Sequence, residues 1–198
     1  VANEYGDLGA LKERLGIESS DTSRDSLLTK ALAAASRGID RATGRRFWLD
    51  PAVVARTFNP RGRVVREADG DVFLVDDIGS IAGLIVETGS GASFAAVTGY
   101  ETAPDNALLD GQPITGLRRV NGFWGTATSR VRITARFGWP SVPDDVAEAA
   151  LIQAARLFRR KDSPEGVTGS AEWGVVRLSR RDPDVWNLIE PFILPGFG

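Results

Sequence analysis

Paired carboxylates are the strongest candidates for chemistry in this chain of 198 residues, because it has no His and no Cys. That absence excludes the usual imidazole base, thiolate nucleophiles, disulfides and Cys/His zinc sites together. What stays open is carboxylate acid/base work, Ser/Lys arrangements and metals held by oxygen. The candidate carboxylate pairs are Asp69 with Asp71, Asp76 with Asp77, and Asp144 with Asp145. Asp76 and Asp77 fall in a strand-like run, where adjacent side chains point to opposite faces and do not converge on one substrate. A hydrolase built on either of them would need a bound metal. Asp144 and Asp145 stand where a helix begins and complement its positive end. The stretch "GSGAS" (89–93) lacks the Walker and dinucleotide spacings and reads as a hairpin turn. Lys12, Lys30 and Lys161 fall in or at the ends of helical runs, with no Ser-x-x-Lys motif. The expectation is a protein that is not an enzyme, with no cofactor and no metal.

The cations are lopsided, 21 Arg against 3 Lys, in a chain of formal net charge -2. Such a balance excludes a nucleic-acid-binding polycation and suits arginine-rich protein interfaces. Two groups stand out. Arg156, Arg159, Arg160 and Lys161 end a helical run, where they complement the negative end of the dipole or meet an acidic partner or a phosphate backbone. Arg130, Arg132 and Arg136 alternate with Val131, Ile133, Ala135 and Phe137, which predicts a strand with one buried face. The two groups together define an alternative reading, a nucleic-acid-binding module.

The elements that carry these residues fall into three parts. In residues 1–46, "GDLGALKERLGI" predicts a short helix capped by Asp7 and ended by Gly16. A long helix follows, capped by Asp21 or Thr22 and ended by Gly44. Its Leu27, Leu28, Ala31, Leu32, Ala34, Ala35, Ile39 and Ala42 share an arc of about 160°. Residues 47–139 are β-rich, with "AVVARTF", "DVFLVD", "GLIVET", "SFAAV" and "RVRITARF" as strands between turn residues. Residues 140–198 return to helix, with Pro143 at the first helical position. The polar residues of that helix span only about 140°, so its apolar arc exceeds what one core face needs and favours oligomerisation. A hairpin in "AEWGVVRLS" (171–179) comes next. Then follow a short helix capped by Asp182 with Pro183 first, and the apolar tail "PFILPGFG". The expected class is α+β: a small helical bundle made of the N- and C-terminal helices, with an inserted β-rich subdomain. No apolar run approaches the roughly 18 residues of a membrane span. Residues 1–16 carry no apolar signal core. Together these predict a soluble protein of a cytoplasm-like compartment with no membrane partner.

Three stretches in order carry a resemblance: "DLGALKERLGI", "DSLLTKALAAASRGIDRATGRRF" and "ITARFGWPSVPDDVAEAALIQAARLFRRKDSPEGVTG". The chain resembles the head–tail connector (adaptor) proteins of long-tailed double-stranded DNA bacteriophages. The resemblance covers residues 7–47 and 133–169, with the β segment as an insertion. It implies a virion neck protein assembled in the host bacterial cytoplasm. Such a protein forms a ring, typically of twelve subunits, beneath the portal protein. The ring extends the DNA channel and presents a platform for the stopper or tail-completion protein. Double-stranded DNA passes through its lumen without specific binding. On this reading Arg156, Arg159, Arg160, Lys161 and Trp173 contact a neighbouring subunit or the portal. Phe192, Ile193, Leu194 and Phe197 anchor the tail on a partner. The 163–179 loop and the 191–198 tail are expected to order on meeting it.

Overall fold

A computed structural model describes residues 3–120, 122–125, 129–160 and 182–194, together with the backbone of 167–168 and 176–177. The fold is α+β, and the chain divides into two compact units. One comprises Val1–Arg45 with Val142–Gly198, and the other is Arg46–Ser141.

The helical unit begins with α1 (Leu8–Leu15). Asp7 accepts a hydrogen bond from the Ala10 amide at 2.9 Å, and Gly16 ends the helix in the left-handed conformation, as the sequence predicts. Helix α2 (Asp25–Thr43) ends at Gly44 as expected, but its start corrects the expected cap. Asp21 spends its carboxylate on the amide and hydroxyl of Ser23, at 2.9 and 2.6 Å. Those bonds form a local turn and hold its pKa below the ordinary aspartate value. Position Arg24 precedes the helix without a side-chain cap.

The buried stripe of α2 is Leu28, Leu32, Ala35, Ser36, Ile39 and Thr43. Leu27, Ala34 and Ala42, expected on the apolar face, are exposed. The stripe turns toward two hydroxyls because both find partners. Ser36 Oγ donates to the Leu32 carbonyl (2.9 Å) and accepts from the Tyr5 amide (3.0 Å). Thr43 Oγ1 donates to the Ile39 carbonyl (2.9 Å) and accepts from the Arg45 amide (3.2 Å). Each buried hydroxyl therefore costs little. The Tyr5 hydroxyl also donates to Asp40, which ties the N-terminal segment to α2.

Helix α3 (Asp144–Arg159) starts one residue later than expected, with Pro143 at the cap position. From Val146 to Phe158 no residue is exposed. The reason is local, since α1, α2 and α4 (Pro183–Ile189) all pack on it. Its wide apolar arc is consumed inside one subunit, which removes that arc as an argument for oligomerisation. Asp182 caps α4 by accepting from the amides of Asp184 (3.0 Å) and Val185 (3.4 Å), with Pro183 first, as predicted. A single 3-10 turn, Glu190–Phe192, follows. Of the expected 171–179 hairpin, only strand β9 (Val176–Arg177) is described, paired antiparallel with β8 (Val167–Thr168). The rest lies outside the described residues.

Among the described residues the β unit contains seven strands: β1 (Val54–Phe58), β2 (Val64–Glu67), β3 (Gly70–Ser90), β4 (Ser93–Ala96), β5 (Glu101–Ala103), β6 (Ile114–Arg119) and β7 (Arg130–Phe137). The runs "DVFLVD" and "GLIVET", expected as separate strands, are one strand of 21 residues. The first half of β3 pairs with β2 and β6, and the second half with β4 and β7. Residue Ile78 pairs with both Ile114 and Phe137. The "GSGAS" segment is the β3–β4 hairpin turn, as expected. Strand β7 buries Val131, Ile133, Ala135 and Phe137 and turns its arginines outward, also as expected. The core joins Phe58, Phe73, Trp124 and Phe137, with Phe73 5.5 Å from Trp124 and 6.1 Å from Phe58 between ring centres.

Two glycines permit the turn between the halves. A Cβ on Gly79 would lie 2.7 Å from Leu49 Cδ1 and 2.8 Å from the Gly138 carbonyl oxygen. Gly138 has φ of 112°, and a Cβ there would overlap the Trp48 carbonyl. Gly138→Ala combines backbone strain with a clash, so it should destabilise the protein by about 3 kcal/mol. Urea denaturation of the variant against the parent measures this. The control Gly62→Ala has positive φ but open space, and should lose about 1 kcal/mol.

Candidate functional site

The outward face of β7 is the first candidate, and its arginines are already occupied. Arg132 donates from Nε and one terminal nitrogen to the two oxygens of Glu87, at 2.7 and 2.8 Å. Its guanidinium also lies 4.1 Å from the Phe94 ring centre. The bidentate bond from Arg132 holds the Glu87 carboxyl below the ordinary glutamate range and raises the arginine. Arg136 donates to the Asp50 carbonyl at 2.8 Å, and Arg130 to the Ser129 carbonyl at 2.9 Å.

The carboxylate pairs are structural too. Asp76 receives Arg56 (2.9 Å) and Arg63 (3.4 Å). Asp77 accepts from the Trp139 indole at 3.1 Å, a different partner, as the alternation of adjacent side chains predicts. Arg118 lies 3.3 Å from Asp69, and the Asp71 carbonyl accepts from the Trp124 indole at 2.8 Å. Asp50, unnoticed in the sequence, is buried and meets Arg46 at 2.9 Å and Arg56 at 3.8 Å. Among the described residues no three His, Cys, Asp or Glu side chains gather to hold a metal ion.

The end of α3 is the second candidate. Arg156 is largely buried and pairs with Asp182 at 3.0 Å, so it locks α4 onto α3. Arg159 and Arg160 are exposed, and Lys161 lies outside the described residues. Phe192 and Ile193 are half-buried. Leu194 is exposed, yet its amide donates to the Thr43 carbonyl at 2.9 Å. The start of the apolar tail is thus held on its own subunit, which corrects the expectation that all of 191–198 awaits a partner. Trp173 and Phe197 lie outside the described residues. Sequence reasoning missed two exposed loop residues, Leu109 and Phe123. The turn signals "APDN" and "VNG" mark their loops, but nothing in the residue types distinguishes an exposed Phe from a buried one.

The chain is similar in structure to a chain from the neck of an empty gene transfer agent (GTA) particle, computed with C6 symmetry. The TM-score is 0.57 at 16% identity, over 96% of this chain and 90% of that one. A chain from the virion of a native GTA particle gives a TM-score of 0.54 at 18% identity, over the same shares. No protein-family model matches the sequence, and no curated protein does. Both units take part in the likeness, because it spans almost the whole chain. The fold is therefore one found in such a neck, in line with the resemblance carried by the helical segments.

Two outcomes follow from these pairs. Glu87 has a depressed folded-state pKa, so the stability its pair contributes is present above the ordinary glutamate pKa. It is lost as pH falls through the lower folded value. The stability difference between parent and Glu87→Gln should accordingly be constant near neutrality and vanish in acid, as followed by denaturation across pH. Asp182→Ala removes a helix cap and the partner of Arg156, and should cost about 1–2 kcal/mol. Combining it with Arg156→Ala should cost less than the sum of the single changes.

Proposed function

We propose that this protein is a structural protein of the neck of a phage-like particle: a head-to-tail connector that forms a ring beneath the portal. The observation that carries this reading is a fold shared over almost the full chain with a neck chain. The order of the helical motifs supports it independently. In this role the ring extends the DNA channel and offers the platform for a stopper or tail-completion protein. No catalysis is involved, and the protein resides in the virion after assembly in the host bacterial cytoplasm.

Ring formation needs head-to-tail side contacts that close by rotation. The C6 symmetry of the similar neck is obeyed by rings of six and of twelve, and twelve is the number the resemblance implies. Arg159, Arg160 and Leu194 are exposed for contact with a neighbouring subunit or the portal, and Lys161, Trp173 and Phe197 complete that proposed surface. Arg156, Phe192 and Ile193 support it from within the subunit. DNA passes without being gripped, because each neutralised phosphate adds affinity and would retard passage. The engagement of Arg132 and Arg136 inside the β unit disfavours the nucleic-acid-binding alternative.

The purified protein should form closed rings when mixed with portal rings. Native mass spectrometry gives the subunit number, and negative-stain images give the closure. A strict monomer that ignores portal rings at every concentration would sink this reading.

A further inference from the structure

The β unit carries two exposed apolar residues, Leu109 and Phe123, in the segments before and after β6. Leu109 is 85% exposed, although its neighbours Ala107 and Leu108 are packed in the core. Its amide donates to the Asn106 carbonyl at 2.8 Å, and the Gln112 amide closes the loop on the Ala107 carbonyl at 2.7 Å. Phe123 is 76% exposed, although the next residue, Trp124, is fully buried. The Phe123 carbonyl accepts from Arg119 at 2.6 Å, and the Trp124 indole is fixed on Asp71. Each exposed apolar tip thus stands next to a residue packed in the core, Leu108 or Trp124, as an anchor on a packed support does.

The surroundings of the two tips have opposite charge. Around Leu109 stand Asp105 and Asp110, both exposed, and no Lys or Arg occurs from Thr102 to Leu117. Near Phe123 lies Arg119, and Arg66 and Arg119 flank Asp71 in the sheet register. Arg61 follows Pro60, whose Cγ lies 3.9 Å from the Cβ position of Gly125, and Arg130 sits beside Ser129. This end has Arg61, Arg66, Arg118, Arg119 and Arg130 against Glu67, Asp69, Asp71 and Glu101, which stands opposite Arg118 in the register. Arg61, Arg66, Arg119 and Arg130 form no ion pair among the described residues. The six residues of β6 separate the two ends by about 20 Å, so they cannot satisfy each other within one β unit.

We propose that the acidic Leu109 loop of one subunit docks on the basic Phe123 end of a second copy of the same chain. The contact is heterologous, joins unlike surfaces and repeats from copy to copy until the ring closes. This inference rests on the ring reading above and assigns it one of its side contacts.

The absence of cysteine makes the test direct. A chain carrying both Leu109→Cys and Phe123→Cys is assembled with portal rings and treated with a short bis-maleimide. A ladder of covalent multimers is expected. Either single variant should give no ladder, and an equimolar mixture of the two singles should give dimers and nothing larger. Asp105→Arg with Asp110→Arg should cut cross-linking at least tenfold, and adding Arg61→Glu and Arg66→Glu should restore it. Rings visible in micrographs without any ladder overturn this contact and leave the ring reading intact. Dimers from a single variant overturn it in favour of a like-to-like contact. Binding of duplex DNA by the parent that is lost in Arg61→Glu/Arg66→Glu, without a ladder, assigns the basic end to nucleic acid instead. Absence of rings altogether removes the ring reading and this contact with it.

Discussion

The β unit depends on one strand changing its partners halfway along. Strand β3 runs for 21 residues, several times the length of an ordinary strand. Over that length the natural twist of a sheet cannot be accommodated in one flat layer. The register shifts between Leu74 and Ile78, between Ile78 and Ser80, and between Ser80 and Ile85, so the strand bends where its neighbours change. Gly79 sits in that bend because the Gly138 carbonyl and Leu49 leave no room for a side chain. The bend brings Phe58 of β1 against Phe73 of β3 and Phe137 of β7, so both halves share one core. It also places Asp76 and Asp77 at the turning point. Arg56, Arg63 and the Trp139 indole serve them there, and this is the physical reason a tempting carboxylate pair is scaffold.

The helical unit obeys a comparable rule. Helix α3 is surrounded by its own neighbours, and Ala149, Ala150 and Ala154 are fully buried. Small residues at such positions let helix axes approach toward the short end of the usual 8–10 Å. With three helices covering it, α3 has no large apolar face left for another subunit. The exposed side chains at the end of α3 are instead charged ones, Arg159 and Arg160.

Much of this was legible in the sequence, and the failures have identifiable causes. Gly16 and Gly44 mark helix ends because a left-handed residue is what stops a helix there, and periodicity alone exposes the buried face of β7. The α2 start was misread because Asp21 and Ser23 can satisfy each other in a turn as readily as Asp21 can cap a helix. Strands β2, β5 and β6 escaped detection because "VVRE", "ETA" and "ITGLRR" are short and carry little alternation. The fusion of two runs into β3 was hidden by Gly79 and Gly83, which look like turn residues and act as bend residues. At the candidate site, the cluster at the end of α3 was visible as charge, but the use of Arg156 was not. Its partner, Asp182, lies 26 residues further on, beyond any local pattern.

The arginine bias is best understood from the β unit, where every basic residue between Arg46 and Ser141 is Arg. Arg46 lies over Trp48 at 3.8 Å, Arg56 over Phe137 at 4.0 Å and Arg132 over Phe94 at 4.1 Å, while each also reaches a carboxylate. A planar guanidinium can stack and donate in its plane at once, which an ammonium cannot. These residues therefore extend the packing of a sheet whose outer face would otherwise be bare. An arginine committed in this way has little positive potential left for a phosphate, since its charge is matched within a few ångströms. Arg61, Arg66, Arg119 and Arg130, which have no such carboxylate partner, lie together at one end of the unit. There the free charge is suited to selecting a partner.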